Sequence, residues 1–176
     1  MGLWVLRYGH RLGRDPRASM HVLLTARALG ADGAMLCGEE DAELVGRVEK
    51  IVESWGGPFE VRYEKDWMGA VEKFKKNGGC FVNLTMYGLP VQDVIAKIRK
   101  ESKDCLVLVG SQKVPVEAYD LADFNVSVSS QPHSEIAALA VFLDRYCEGR
   151  ELTKAWDGKI RITPSKVGKS VNMSNK

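Results

Sequence analysis

The chain has 176 residues, 19.5 kDa, the size of one ordinary domain. Hydrophobic residues make up 45% and charged residues 27%, which fits a buried core and excludes a wholly disordered chain or a coiled coil. The formal net charge is only +2, but it is unevenly spread. Arg7, Arg11, Arg14 and Arg17 face Asp15 alone, and from residue 150 onward seven basic residues face Glu151 and Asp157. An acidic body with basic ends suits a polyanionic partner, although solvated tails carry the same pattern.

Short β-branched runs alternate with helical patterns along the chain. Leu3-Trp4-Val5-Leu6 reads as a strand, and the four arginines lie in or beside the polar loop after it. The stretch from His21 to Leu29 reads as a helix ended by Gly30, and Gly33 to Leu36 as a second strand. Leu44, Val48, Ile51, Val52 and Trp55 fall at helical spacing before the stop Gly56-Gly57-Pro58. Phe59 to Tyr63 alternates like a strand. Asp66 then caps a helix that packs Trp67, Val71 and Phe74 and ends at Asn77-Gly78-Gly79.

The second half keeps this rhythm. Cys80 to Leu84 is a strand, and Val91, Val94, Ile95 and Ile98 form one helix face. Cys105 to Val109 is an unbroken apolar run, as expected of a strand covered on both faces. Phe124 to Val128 is another strand, followed by a helix from Pro132 to Tyr146 whose apolar face holds Ile136, Leu139, Ala140 and Leu143. A late strand falls at Lys159 to Ile162. The pattern predicts one parallel-sheet α/β domain over residues 1–165 with a polar tail at 166–176.

Ligands of such domains gather at the carboxyl ends of the strands. Three loops stand there: Leu84-Thr85-Met86-Tyr87-Gly88-Leu89-Pro90, Val109-Gly110-Ser111-Gln112-Lys113-Val114-Pro115, and Ser127-Val128-Ser129-Ser130-Gln131-Pro132-His133-Ser134-Glu135. Each pairs a permissive or polar turn with a proline at a helix start, which suits backbone contacts to a ligand or a plain connection. Several activities are excluded by pattern. There is no Gly-x-Gly-x-x-Gly or P-loop spacing, which argues against a Rossmann dehydrogenase or an NTPase, and no Gly-x-Ser-x-Gly elbow. His10, His21 and His133 are scattered, and the cysteines at 37, 80, 105 and 147 lack Cys-x-x-Cys spacing, so no metal site is expected. The thiols read as buried and reduced. No apolar run nears the roughly 18 residues that cross a bilayer. The opening Met1-Gly2-Leu3-Trp4-Val5-Leu6-Arg7 lacks a secretory pattern, so a cytoplasmic protein is expected.

Arg7-Tyr8-Gly9-His10-Arg11-Leu12-Gly13-Arg14-Asp15-Pro16-Arg17, followed by His21-Val22-Leu23-Leu24-Thr25-Ala26-Arg27-Ala28-Leu29-Gly30-Ala31, is similar to the start of the archaeal tRNA cytidine 2′-O-methyltransferases. Leu84-Thr85-Met86-Tyr87-Gly88, Val109-Gly110-Ser111-Gln112-Lys113-Val114-Pro115 and Gln131-Pro132-His133-Ser134-Glu135-Ile136-Ala137-Ala138-Leu139-Ala140 resemble that family in the same order, and Asn125-Val126-Ser127-Val128 matches the Asn-Val-Ser-Val signature of the wider SPOUT class. The resemblance implies a deep C-terminal trefoil knot, a homodimer, and S-adenosyl-L-methionine as cofactor. It also implies methylation of the ribose of cytidine 56 in the T-loop of tRNA. By carry-over the cofactor is held by Leu84, by Val109, Gly110, Ser111, Gln112 and Lys113, and by Ser127, Val128, Ser129, Ser130, Gln131, Pro132, His133 and Ser134. Related ribose methylases place an arginine where this chain has Leu24. Arg14, Arg17 and Arg27 are therefore the candidates to orient ribose and phosphate, with His21 as a candidate base, imidazole titrating near neutrality. The alternatives are a SPOUT enzyme acting on a base and a knotted tRNA-binding protein without catalysis.

Overall fold

The computed structural model describes residues 2–102 and 104–173. The first half runs β1 (Leu3–His10), α1 (Pro16–Ala28), β2 (Gly33–Gly38), α2 (Ala42–Trp55), β3 (Glu60–Tyr63) and α3 (Trp67–Lys76). The second half runs β4 (Cys80–Pro90), α4 (Val91–Glu101), β5 (Cys105–Gly110), α5 (Val116–Leu121), β6 (Phe124–Ser127) and α6 (Glu135–Cys147). A 3-10 turn at Arg150–Thr153 leads to β7 (Ile160–Ile162) and β8 (Val171–Met173). The main sheet is parallel, in the order β3-β2-β1-β5-β4-β6.

Alternation along the central strands divides the core into two layers. Leu3 and Val5 on β1, with Cys105, Val107 and Val109 on β5, face α1, α2, α4 and α6. Trp4 and Leu6, with Leu106 and Leu108, face α3 and α5. Helix starts are fixed by side-chain caps: Asp41 accepts from Leu44 N at 2.8 Å, Asp66 from Gly69 N at 3.0 Å, and Ser134 from Ala137 N at 3.1 Å. Gly56 ends α2 at φ 95°, a conformation that a side chain opposes.

Several boundaries differ from the sequence pattern. Helix α1 begins at Pro16, five residues before the expected His21, because proline is pre-set for the first helical turn. Helix α6 starts at Glu135 and not Pro132, since Ser134 is its cap. Strand β4 runs on to Pro90 by pairing twice with β6: Val126 is partner first to Leu84 and then to Leu89, with an irregular stretch between. The single-turn-scale helix α5 carries too short a pattern to stand out.

The expected tail from Lys166 contains β8, which pairs antiparallel with β7 as a separate hairpin. The last part of that expected tail, residues 174–176, lies outside the described residues. Arg7 is not a loop residue. It sits on β1 and is fully buried. The α6 face at Leu139 and Leu143 is fully buried within the chain's own core. No described helix is long and apolar enough to cross a membrane.

Candidate active site

The carboxyl ends of β4, β5 and β6 bring the three loops around one groove. Two lobes of about 230 and 280 Å³ share Leu84, Thr85, Glu135 and Ala138. The first lobe is completed by the β5 loop through Val109, Gly110, Gln112 and Lys113, with Val114, Tyr87 and Tyr119 beside them. The second is completed by the loop after β6 through Val128, Ser129, Gln131, Pro132, His133 and Ser134, with Met86 and Val126. Most of the expected cofactor residues therefore converge.

Three of them do not line the groove. The hydroxyl of Ser111 donates to the Gly9 carbonyl, and its amide donates to the Tyr8 carbonyl at 2.9 Å, so Ser111 ties the loop to β1. Ser127 is buried at the end of β6, where it pairs with Pro90. Ser130 is exposed.

Backbone closeness explains the glycines at this end. A Cβ on Gly110 would lie 2.6 Å from Val114 Cγ2 and 2.9 Å from the Gln112 carbonyl oxygen. On Gly88 it would lie 2.4 Å from Val126 N, so the absent side chain lets β4 come close to β6 just before their pairing resumes at Leu89. The turn after β5 is thus tight, with no room at Gly110 for a side chain.

Sequence patterning gave no sign of the frame beneath the groove. Arg7 donates from Nε to Ser19 Oγ at 3.2 Å, from Nη1 to the Gly110 carbonyl at 2.9 Å and from Nη2 to Glu135 at 3.3 Å. One buried guanidinium thereby joins the β5 turn to the first residue of α6. Burial pulls its pKa down, and the Glu135 carboxylate opposes that shift. Ser19 is also within 2.8 Å of His10 Nδ1, and His10 Nε2 is 3.2 Å from Asp41. The group has the atom types of a catalytic triad, but Ser19 and His10 are buried away from the groove. On the other side Asn83 Nδ2 donates to Asn125 Oδ1 at 2.8 Å, and Asn125 Nδ2 to the Tyr119 carbonyl at 3.1 Å. Thr85 and Tyr119 hydroxyls meet at 3.0 Å.

The four candidate catalytic residues are spread along α1. Arg14 and Arg17 are exposed around its start, at the same sheet end as the groove, and His21 is exposed one turn on. None of the three lines either lobe. Arg27 lies at the far end of α1, buried, with Nη2 donating to the Gly56 carbonyl and its guanidinium over Trp156. Arg11, next to them, holds Asp15 at 2.9 Å. Among the described residues no group of three His, Cys, Asp or Glu side chains is placed to hold a metal ion.

The family model described as "tRNA ribose 2'-O-methyltransferase, aTrm56" matches residues 55–172. The chain belongs to this family. Curated relatives named tRNA (cytidine(56)-2'-O)-methyltransferase agree along nearly the whole chain. The one from Methanocaldococcus jannaschii is 55% identical over 170 residues, 95% of this chain and 94% of that protein. The one from Pyrococcus abyssi is 51% identical over 172 residues, 95% of this chain and 85% of that protein.

Among solved structures, the SpoU methyltransferase AviRb of Streptomyces viridochromogenes, in complex with AdoMet, superposes with a TM-score of 0.62 at 19% identity over 85% of this chain. The AdoMet-bound rRNA methyltransferase of Sinorhizobium meliloti gives 0.62 at 21% over 84%. This chain spans only 58% and 56% of those two chains, so the likeness is one of fold, a parallel α/β sheet of the SpoU/TrmH kind.

Proposed function

We propose that the protein is an S-adenosyl-L-methionine-dependent tRNA methyltransferase that modifies the ribose 2′-hydroxyl of cytidine 56 in the T-loop. What carries this reading is the convergence of the three loops on one groove at the strand ends, in a chain belonging to the aTrm56 family. The residues present fit the cofactor. Gly110 gives backbone groups close approach, the Leu84 and Val109 side chains give an apolar wall, and polar atoms come from Gln112, Ser129 and Gln131. When bound, the cofactor supplies an electrophilic methyl group.

The chain's own contribution is mostly positioning. Arg7 holds the Gly110 turn and Glu135 in fixed relation from below. Arg14 and Arg17 orient the incoming ribose and phosphate by forked hydrogen bonds, which lysine does not reproduce. His21 accepts the 2′-hydroxyl proton. These residues stand clear of the groove of their own subunit, so the reading includes a homodimer in which α1 of one copy serves the groove of the other. The exposed Tyr87 and Leu89 beside the groove, 81% and 58% accessible, supply apolar surface for that contact. The reading further includes the family's deep trefoil knot over the C-terminal half, one catalytic domain over residues 1–165 with 166–176 as an accessory segment, a cytoplasmic location and no metal requirement.

The test is nucleoside mass spectrometry of an unmodified tRNA transcript incubated with protein and methyl donor, beside a transcript with position 56 changed. The expected product is a 2′-O-methylcytidine in the first transcript only. Methyl groups on a base would favour a base methylase. Cofactor binding with no product on any tRNA would favour a non-catalytic tRNA-binding protein.

A further inference from the structure

A second cleft, of about 590 Å³, lies at the other end of α1 from the loops, between the end of α2 and the segment leading into the β7–β8 hairpin. Its walls combine Trp55 and Trp156 with the cations Arg27, Lys154 and Arg161, and Asp157 is the one acid among its lining residues. Arg27 is only 8% exposed. Its guanidinium carbon is 4.5 Å from the Trp156 ring centre, and Lys154 Nζ is 4.4 Å from the same centre. Two cations thus share one indole. Arg27 Nη2 donates to the Gly56 carbonyl, but the buried Nε–H has no acceptor in the described chain. Asp157 is committed to Arg161 at 3.3 Å and is 87% exposed, so it compensates Arg161 and not Arg27 or Lys154. Lys159, paired with Glu53, pins the hairpin segment against α2.

A buried guanidinium with an unused donor, a second ammonium and two indoles make a poor site for an apolar or cationic ligand. They make a good one for an anion attached to a flat, stackable group. A nucleotide of an RNA chain meets both demands. The segment that forms one wall has the same sign: residues 150–173 carry Arg150, Lys154, Lys159, Arg161, Lys166 and Lys169 against Glu151 and Asp157, with Arg150 paired to Glu148 and Lys159 to Glu53. Helix α1 links the two ends, since Arg17 and Arg27 are ten residues apart, about 15 Å at the usual helical rise.

We propose that this cleft is a second tRNA-contact site, binding the sugar–phosphate backbone of a segment remote from the methylated nucleotide. Arg27 and Lys154 neutralise phosphate, and Arg161 flanks them. The site rests on the tRNA methyltransferase reading and adds to it a place where affinity is set separately from chemistry.

The experiment compares the wild-type chain with the double variant Lys154→Ala/Arg161→Ala, two side chains whose loss leaves the core intact. Binding of a tRNA transcript is followed by fluorescence anisotropy across a salt series, with methyl transfer, cofactor calorimetry, thermal melting and sedimentation run alongside. The expected result is about tenfold weaker tRNA binding. The log–log salt slope shrinks by about 0.7 to 0.9, the one phosphate contact that Lys154 makes. KM for tRNA rises while kcat at saturating tRNA and cofactor affinity hold. An unchanged affinity and slope in a variant that melts like wild type overturns the proposal. So does a double variant whose weaker tRNA binding is accompanied by loss of self-association, which would make the cleft a contact between copies of the chain. Should the double variant fail to fold, Lys154→Glu alone is read by the same slope. A wild-type chain that methylates tRNA beside unaffected variants sinks the cleft alone, whereas a wild-type chain that neither binds nor methylates tRNA sinks the activity on which it rests.

Discussion

Replacing Arg7 by methionine tests the frame under the groove. The side chain is wholly buried and has three partners, so the cost follows from what each partner does afterwards. Ser19 Oγ keeps its contact with His10, and Glu135, whose side chain is 36% exposed, turns to water. The half-buried Gly110 carbonyl loses the Arg7 donor beneath the groove, at up to about 1–3 kcal/mol, the range for an acceptor left without a partner. Methionine fills most of the volume, and removing a buried charge returns part of its desolvation cost, so the total stays near that range. For a domain of this size it corresponds to a fall in melting temperature of about 2–12 °C. The freed Gly110 turn should also weaken cofactor binding by about tenfold, ~1.4 kcal/mol. Thermal melts with and without S-adenosylmethionine, plus calorimetry, read both effects. The exposed Arg17→Met serves as a control that leaves melting unchanged. An Arg7→Met protein with wild-type melting and wild-type cofactor affinity would refute the reasoning.

Gly110→Val should abolish cofactor binding in calorimetry while the fold survives by circular dichroism, because the new side chain starts 2.6 Å from Val114 Cγ2. At Asp15, burial alone would raise the carboxyl pKa, but the hydrogen bond from Arg11 and the charges of Arg11, Arg7 and Arg14 outweigh it and hold it below the usual value. Its stabilisation is therefore present above about pH 4 and lost as pH falls through the folded pKa. Asp15→Asn should lower the melting temperature at pH 7, and the two curves should converge as pH falls through the folded pKa; a constant gap from pH 7 into the acid range would contradict this. Burial pushes the Cys37 and Cys80 thiols up to about 12 and Cys147 to about 11, so a maleimide at pH 7.5 should leave the folded protein unlabelled, as mass spectrometry will read. Arg14→Ala with Arg17→Ala should weaken tRNA binding and flatten its salt dependence without altering cofactor affinity; a normal salt slope in anisotropy would remove both from the RNA surface.

The alternation of strands and helices was legible because burial imposes periods of 2 and 3.6 on the residues themselves, and the caps Asp41, Asp66 and Ser134 act within three residues. The three loops that line the groove were legible for the same local reason, as glycine and proline at strand ends. What the sequence left undecided depends on residues far apart in the chain. Arg7 reads as part of a basic cluster until β1 is placed at the centre of the sheet, where two of its three partners lie 103 and 128 residues away. The apolar face of α6 shows in the sequence only as a helical stripe, and packing decides that α1 and α4 cover it. Arg27 reads as part of the first motif, but ten residues of helix carry it away from Arg17 to a cleft with Trp156. Local pattern determines which backbone geometry a segment adopts; only packing decides which charges are withdrawn from water and which side chains share a site.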